Sequence, residues 1–338
     1  MTGKNISGNK VVTFGEVMLR LSTPGFTRFR QAENFLVTYA GAEANVAVSL
    51  QNFGIPSAHI TRFPANDLGY SATQALAKYG IDTAGIVYGD ERMGLYFLEN
   101  GAMQRASRIL YDRFDSAFAH IQPGQINWEE ILQDVKWFHY TGITPAISQG
   151  AADACLEALH VAKKKGITIS GDINYRRNLW QYGKSARDIM PSLIKLTDIV
   201  IAGVTDMENC CGIGGSNYEE ACNAMMKEYP GIKKISSTER DSISSSHNKI
   251  SAVLWNGVKL LKSKTYDLTH IVDRIGAGDA FMAGLVYGLI SGKDDQYALE
   301  FATAACAWKH SIEGDVNVAT ASEIENLVIG ENIGRLLR

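Results

Sequence analysis

A chain of 338 residues, 46% of them hydrophobic, can bury a large core in one α/β domain or two smaller ones. Its formal net charge of -3, with no basic run longer than the lysines at 163 to 165, excludes the electrostatic footprint of a nucleic-acid binder or a polybasic membrane patch. A small molecule is the default partner. The first ten residues, MTGKNISGNK, are polar and no apolar window approaches the roughly 18 residues of a membrane-spanning helix, so a cytoplasmic protein is expected. Five cysteines without zinc-ligand spacing read as reduced, mostly buried thiols.

In chain order, KVVTFGEV (10–17) predicts a strand, GAEANVAVSLQNFG (41–54) a helix closed by Gly54, AHITRF (58–63) a strand, and 70–80 a helix. Helix 151–165 leads into strand 166–173, helix 185–196 into strand 198–203, and helix 219–228 into strand 233–238. Helices and strands that alternate in this way predict an α/β protein with a mostly parallel sheet covered by helices on both faces. Two stretches, 18–39 and 85–113, alternate apolar and polar residues with Gly and Asn interruptions, and predict β-hairpins. They would form a small antiparallel sheet projecting from the body as a lid over a ligand crevice. No linker divides the chain, so residues 1–338 are read as a single domain. The Ser-rich segment 237–251 reads as a loop.

Residues 266–273 predict a strand and 280–292 a helix ended by Gly292, which places Gly276, Ala277 and Gly278 at a helix start. Unpaired N–H groups and the positive helix end make that turn an anion cradle. Asp279 beside it has two readings, a cap for the helix or a carboxylate facing a substrate hydroxyl. The dinucleotide fingerprint fails because Phe281 stands where a third glycine is needed, and no Gly-Lys-Ser/Thr tripeptide supplies a P-loop. Arg176, after strand 166–173, and Arg113, on the lid, are each either salt-bridge partners or bidentate grips for a carboxylate.

DRIGAGDAFMAG (273–284) resembles the carboxy-terminal signature of the ribokinase-like (PfkB) carbohydrate kinases, D-T-x-G-A-G-D-x-F-x-x-G. AGAEANVAVSLQNFG (40–54) resembles that family's glycine-rich amino-terminal signature, and DINYRRNLW (172–180) its D-x-N-x-R-x-x-L-W segment. The resemblance implies a three-layer α/β/α fold with a β-sheet lid, ATP and Mg2+ as cofactors, and Asp279 as the base that orients and deprotonates a primary hydroxyl. The N–H groups of Gly276, Ala277 and Gly278 would stabilise the transferred phosphoryl. A carboxylate at the positive end of a helix is expected to have a depressed pKa. The family's N-x-x-E magnesium motif has Gly203 and Asp206 in this chain, with Glu208 nearby, so Asp206 and Glu208 are the candidate metal-associated acids. The family's T-L-G-x-x-G nucleotide loop is replaced by STERDSISSSHNKIS.

Within the family the chain is most similar to the 2-keto-3-deoxygluconate kinases, through GLYF (94–97), a lid strand ending Tyr-x-Arg, HYTGITPA (139–146) and INYRRNLW (173–180). This resemblance implies that Gly41, Tyr96, Tyr111, Arg113, Ile143 and Arg176 contact the sugar acid, with Asp112 an unfavourable charge nearby. A fructokinase, a 5-dehydro-2-deoxygluconate kinase, or a sugar-acid sensor without turnover are the competing readings. The lid's free edges imply a homo-oligomer, a dimer built through the lids.

Overall fold

The computed structural model describes residues 9–330. Most of the polar amino-terminal decapeptide, and the last eight residues of the single-domain span, lie outside the described residues. Elements in chain order are β1 (Lys10–Phe14), β2 (Met18–Ser22), β3 (Leu36–Ala40), α1 (Ala42–Asn52), β4 (Ser57–Ile60), β5 (Arg62–Pro64), α2 (Asp67–Lys78), β6 (Val87–Gly89), β7 (Leu95–Glu99) and β8 (Arg108–Asp112). Then come α3 (Trp128–Ile131), β9 (Val135–Thr141), α4 (Ile143–Ile147), α5 (Gln149–Lys164), β10 (Thr168–Asp172), α6 (Ala186–Ile194), β11 (Ile199–Ile201), α7 (Val204–Cys211) and α8 (Tyr218–Glu228). The last are β12 (Lys234–Ser242), β13 (Asn248–Trp255), β14 (Leu260–Lys262), β15 (Tyr266–Leu268), α9 (Ala277–Ile290), α10 (Asp295–Lys309) and α11 (Ala321–Ile329).

The main sheet runs β4-β1-β9-β10-β11-β12-β13-β14, with β15 also on β13. The six strands from β4 to β12 are parallel and the remaining pairs antiparallel. Its strands are buried on both faces, and neighbouring residues serve opposite cores as the two-residue period of a strand requires. Val11 and Trp137 pack with α1, α9 and α10, whereas Val12 and Phe138 pack with α5. A further core beneath α6, α7 and α8 holds Met190, Met207 and Met225. The parallel strands all end on one side, where ligands of open α/β sheets bind.

The lid is a four-stranded sheet, β3-β2-β7-β8. The two predicted hairpins are present as β2–β3 and β7–β8, but β2 and β7 join in parallel, so the lid is a mixed sheet and not an antiparallel one. Its base is fixed: Leu19 packs in the same core as Ala44 and Val48 of α1. Arg20 of β2 is buried and paired with Asp273 at 2.7 Å and Asp315 at 2.8 Å. Burial opposes the Arg20 charge, but the two carboxylates outweigh it and hold the guanidinium protonated.

Three local expectations need correction. The stretch 58–63 splits into β4, an edge strand of the main sheet, and β5, which pairs with β6 in a separate two-stranded sheet. Segment 237–251 is no loop: β12 and β13 pair from Ile235–Trp255 to Ser242–Asn248, with only 243–247 left to turn. The Ser and Thr side chains that mimic loop composition sit on a ladder whose backbone bonds override propensity. Only Tyr266–Leu268 of the predicted strand 266–273 is extended, and the following residues turn across the sheet's end.

Candidate active site

A cavity of about 860 Å3 opens at the carboxyl end of the parallel strands, beneath the lid. It lies within the usual range for a small-molecule site. Gly41, Tyr96, Tyr111, Arg113, Ile143, Arg176, Asp206, Gly276, Gly278 and Asp279 all line it, so the tertiary fold brings residues from seven separate segments to one place. Ala277 is buried just behind, as the first residue of α9. Glu208 does not join them. One turn along α7 from the cavity, its carboxylate lies against Gly214, so of the two candidate metal-associated acids only Asp206 lines the cavity.

The turn before α9 is shaped by Gly276, whose φ of +80° suits a residue without Cβ. A Cβ there would meet the Asp315 carbonyl oxygen at 1.8 Å. A Cβ on Gly278 would meet nothing within 4 Å, so its backbone faces open space. Asp279 makes no cap bond to the helix; its Oδ2 instead accepts a hydrogen bond from Asn45 Nδ2 at 2.7 Å. The capping reading therefore fails on geometry.

The expected depression of its pKa fails too. Asp279 opens only into the cavity and is surrounded by protein, so desolvation pushes its pKa up to about 8. The Asn45 bond acts in the opposite direction, while Asp172, Glu43 and Asp315 repel a second negative charge. The positive end of one helix is outweighed by this burial and crowding. The amide oxygen of Asn45, Oδ1, is buried without a hydrogen-bond partner among the described residues, a polar atom pointing to a ligand.

Asp172 at the end of β10 is likewise pushed up, to about 7, first by burial and then by Asp206. The Asp206 carboxylate accepts the Gly203 N–H at 3.0 Å, which fixes it at the start of α7 facing the cavity. The Arg176 charge acts against this repulsion without cancelling it, and two crowded carboxylates are a donor set that suits a hard divalent cation, which needs only one or two protein carboxylates. No group of three or more His, Cys, Asp or Glu side chains gathers for a metal among the described residues.

Of the proposed sugar contacts, Arg176 and Tyr111 present themselves to the cavity, Tyr111 with 54% of its surface exposed. Arg113 is buried, and its Nε and Nη2 donate to Glu16 Oε2 at 2.9 and 2.5 Å. It is thus a salt-bridge partner in the interior, with much of its charge already neutralised. Tyr96 donates its hydroxyl to Asp315 Oδ2 at 2.6 Å and so props the lid against the cradle loop. Asp112, expected as an unfavourable neighbour, is paired with Arg92 at 2.7 Å. Gly41 is needed because a Cβ would strike the Glu16 carbonyl oxygen at 2.1 Å. The Ile143 amide donates to Thr141 Oγ1 at 3.2 Å, and the Thr141 hydroxyl in turn donates to the buried Glu43 carboxylate at 2.7 Å.

Sequence reading singled out neither Asn45, Glu43 nor Asp172, although all lie inside the quoted motifs; the signal that finds them is their polarity within otherwise apolar helix and strand ends. Lys309 was not singled out either. It is fully buried, and its Nζ donates to the Ile312 carbonyl at 2.9 Å and, more weakly, to that of Asp273 at 3.4 Å, behind the cradle turn. Burial pulls its pKa down while Asp273 and Asp315 act against it.

An anion cradle, a buried acid facing it and a sugar-sized cavity under a lid define a phosphotransferase acting on a hydroxyl. The sequence profile of the pfkB family carbohydrate kinases matches residues 9–320, and the chain belongs to that family. It is 30% identical over 325 residues to a 2-dehydro-3-deoxygalactonokinase of Haloferax volcanii, covering 96% of this chain and 98% of that one. It is 26% identical over 328 residues to a 5-dehydro-2-deoxygluconokinase of Bacillus subtilis, covering 94% and 95%. A crystal structure of a 2-dehydro-3-deoxygluconokinase from Thermotoga maritima superposes with a TM-score of 0.91 at 41% identity, covering 95% of this chain and all of that one. The fold is accordingly ribokinase-like, and the protein is a sugar kinase of a family that uses ATP. No helix among the described residues is long and apolar enough to cross a membrane.

Proposed function

We propose that the protein transfers the γ-phosphoryl of ATP to the terminal primary hydroxyl of 2-keto-3-deoxygluconate (2-dehydro-3-deoxygluconate), giving the 6-phosphate. The observation that carries this reading is that Asp279 at the cradle and Arg176, whose charge reaches Asp172 but makes no ion-pair contact among the described residues, open on the same cavity. Arg176 holds the carboxylate of the acid and Tyr111 covers the sugar chain, which leaves the far hydroxyl to reach Asp279. Glu16 already occupies Arg113, so Arg113 contributes hydrogen bonds and shape more than charge.

Asp279 orients the hydroxyl and takes its proton as the oxygen attacks the γ-phosphorus in line and the bond to the ADP oxygen breaks. The amides of Gly276, Ala277 and Gly278 stabilise the charge on the travelling phosphoryl. Asp206 and Asp172 are the residues that would hold Mg2+, directly or through water; the ion supplies neutralisation of the phosphate charge when bound.

Comparing kcat/KM for 2-keto-3-deoxygluconate, its galacto epimer, 5-dehydro-2-deoxygluconate and fructose tests the proposal. A preference for the gluco acid supports it, one for another acid moves the assignment to that acid, and one for fructose overturns the acid-sugar reading. Binding without turnover of any of them would establish the sensor. Exposed Leu36, Val37 and Leu110 on the lid support pairing of two chains through that sheet, which sedimentation velocity tests.

A further inference from the structure

The motif departures are themselves informative. Where the family signature has Thr this chain has Arg274, and the replaced nucleotide loop carries Arg240 on β12. Both side chains line the cavity beside Gly276 and Gly278. Arg274 is held from behind: its Nη2 donates to the Ser245 carbonyl at 2.7 Å, in the turn between β12 and β13. That turn also accepts the Ile271 amide through the Ser246 carbonyl at 3.1 Å, so hairpin and cradle loop move as one piece.

The two guanidiniums lie close enough to repel. Burial first, and then the charge of Arg240, draw the Arg274 pKa down, with Asp273 opposing. Arg20, Arg28, Arg62, Arg92, Arg105 and Arg113 each have a carboxylate partner, whereas among the described residues Arg30, Arg108, Arg177 and Arg187, outside the cavity, and Arg176, lining it, do not. Among the described residues Arg240 and Arg274 have none. Two like charges facing one cavity without a carboxylate in contact cost stability unless an anion arrives between them. The amide cradle next to them accepts anions, and guanidinium forks match phosphate oxygens bidentately.

We propose that Arg240 and Arg274 clamp the terminal phosphates of the nucleotide, with Arg274 on the transferred phosphoryl. The proposal rests on the reading that the cradle receives the γ-phosphoryl of ATP. The clamp lets the chain do without the usual glycine-rich nucleotide loop: affinity that would come from backbone amides comes from two side chains. It also links the nucleotide to the lid, because Ser245 donates through its N–H to the Met103 carbonyl and through its hydroxyl to the Arg105 carbonyl, both at 2.8 Å.

The test is calorimetric titration of the wild type, Arg240→Met and Arg274→Met with β,γ-imido-ATP plus Mg2+, and with adenosine, in the absence of sugar. Each substitution is expected to weaken imido-ATP binding by about 10- to 100-fold, the range for a hydrogen-bonded charged pair, and to leave adenosine binding unchanged. Arg274→Lys should recover part of the loss. Steady-state rates should show kcat and KM for ATP changed while KM for the sugar stays constant. Wild-type affinity for imido-ATP in both variants, or equal losses for adenosine and imido-ATP, would overturn the clamp. A wild type that binds no imido-ATP overturns the kinase reading as well, so the two failures are distinct.

Discussion

Removing the Asn45 side chain isolates what sets the protonation of Asp279, the proposed base. Asn45 Nδ2 donates to Asp279 Oδ2 at 2.7 Å, and this bond is the one that pulls the Asp279 pKa down against burial. A hydrogen bond to a charged group contributes roughly 1.5–3 kcal/mol. At about 1.4 kcal/mol per pK unit, Asn45→Ala should raise the Asp279 pKa by about 1–2 units. With the wild-type value at about 8, roughly a tenth of Asp279 is ionised at pH 7. In the variant that fraction falls to about a hundredth or a thousandth. The assay is initial rate against pH with ATP and sugar both far below saturation, so that the acid limb reports the free enzyme. The rate at pH 7 should fall by about 10- to 100-fold, and most of it should return at high pH, because the base is weakened in supply and not removed. An acid limb that stays in place while the plateau drops would refute the reasoning, since Asn45 would then act on the substrate and not on the Asp279 proton.

Asp279→Asn should lose turnover by at least about 100-fold, measured by coupled assay, while still binding ATP. The same variant should be the more stable protein at pH 8. The native carboxyl holds its proton up to about pH 8, against 3.8 for an ordinary aspartate, so its stability contribution is present at low pH and is lost as pH rises through that value. Thermal scans should show a gain of a few degrees in Tm at pH 8 that shrinks towards pH 5. Lys309→Met leaves the buried Ile312 carbonyl without its ammonium donor and should cost about 1–3 kcal/mol in urea unfolding. Gly276→Ala forces a Cβ into the Asp315 carbonyl and should depress both Tm and kcat, whereas Gly278→Ala, with nothing within 4 Å, should keep its Tm and lose kcat. Arg176→Leu should raise KM for the acid by about 10- to 100-fold with kcat little changed, by comparison with a neutral sugar alcohol.

Much of this protein was legible one residue at a time. The alternation of helix and strand periods set the parallel sheet and its two helical layers, because burial on both faces leaves near-continuous apolar strands such as VVTF and IVI. The GAGD run marked the anion cradle and Asp279, since a glycine-rich helix start has few structural uses and the residues that make it are adjacent. What the tertiary structure alone decided concerns charges that meet across long separations. The Asp279 pKa depends on Asn45, Asp172, Glu43 and Asp315, none of them near it in sequence, and their crowding reverses the sign expected from one helix end. Sequence leaves Arg113 either a salt-bridge partner or a grip for substrate, and only the fold supplies Glu16, nearly a hundred residues away, as its carboxylate partner. Local sequence sets which groups are present and in which element; their desolvation and their Coulomb partners are properties of the assembled interior, and only packing fixes those distances.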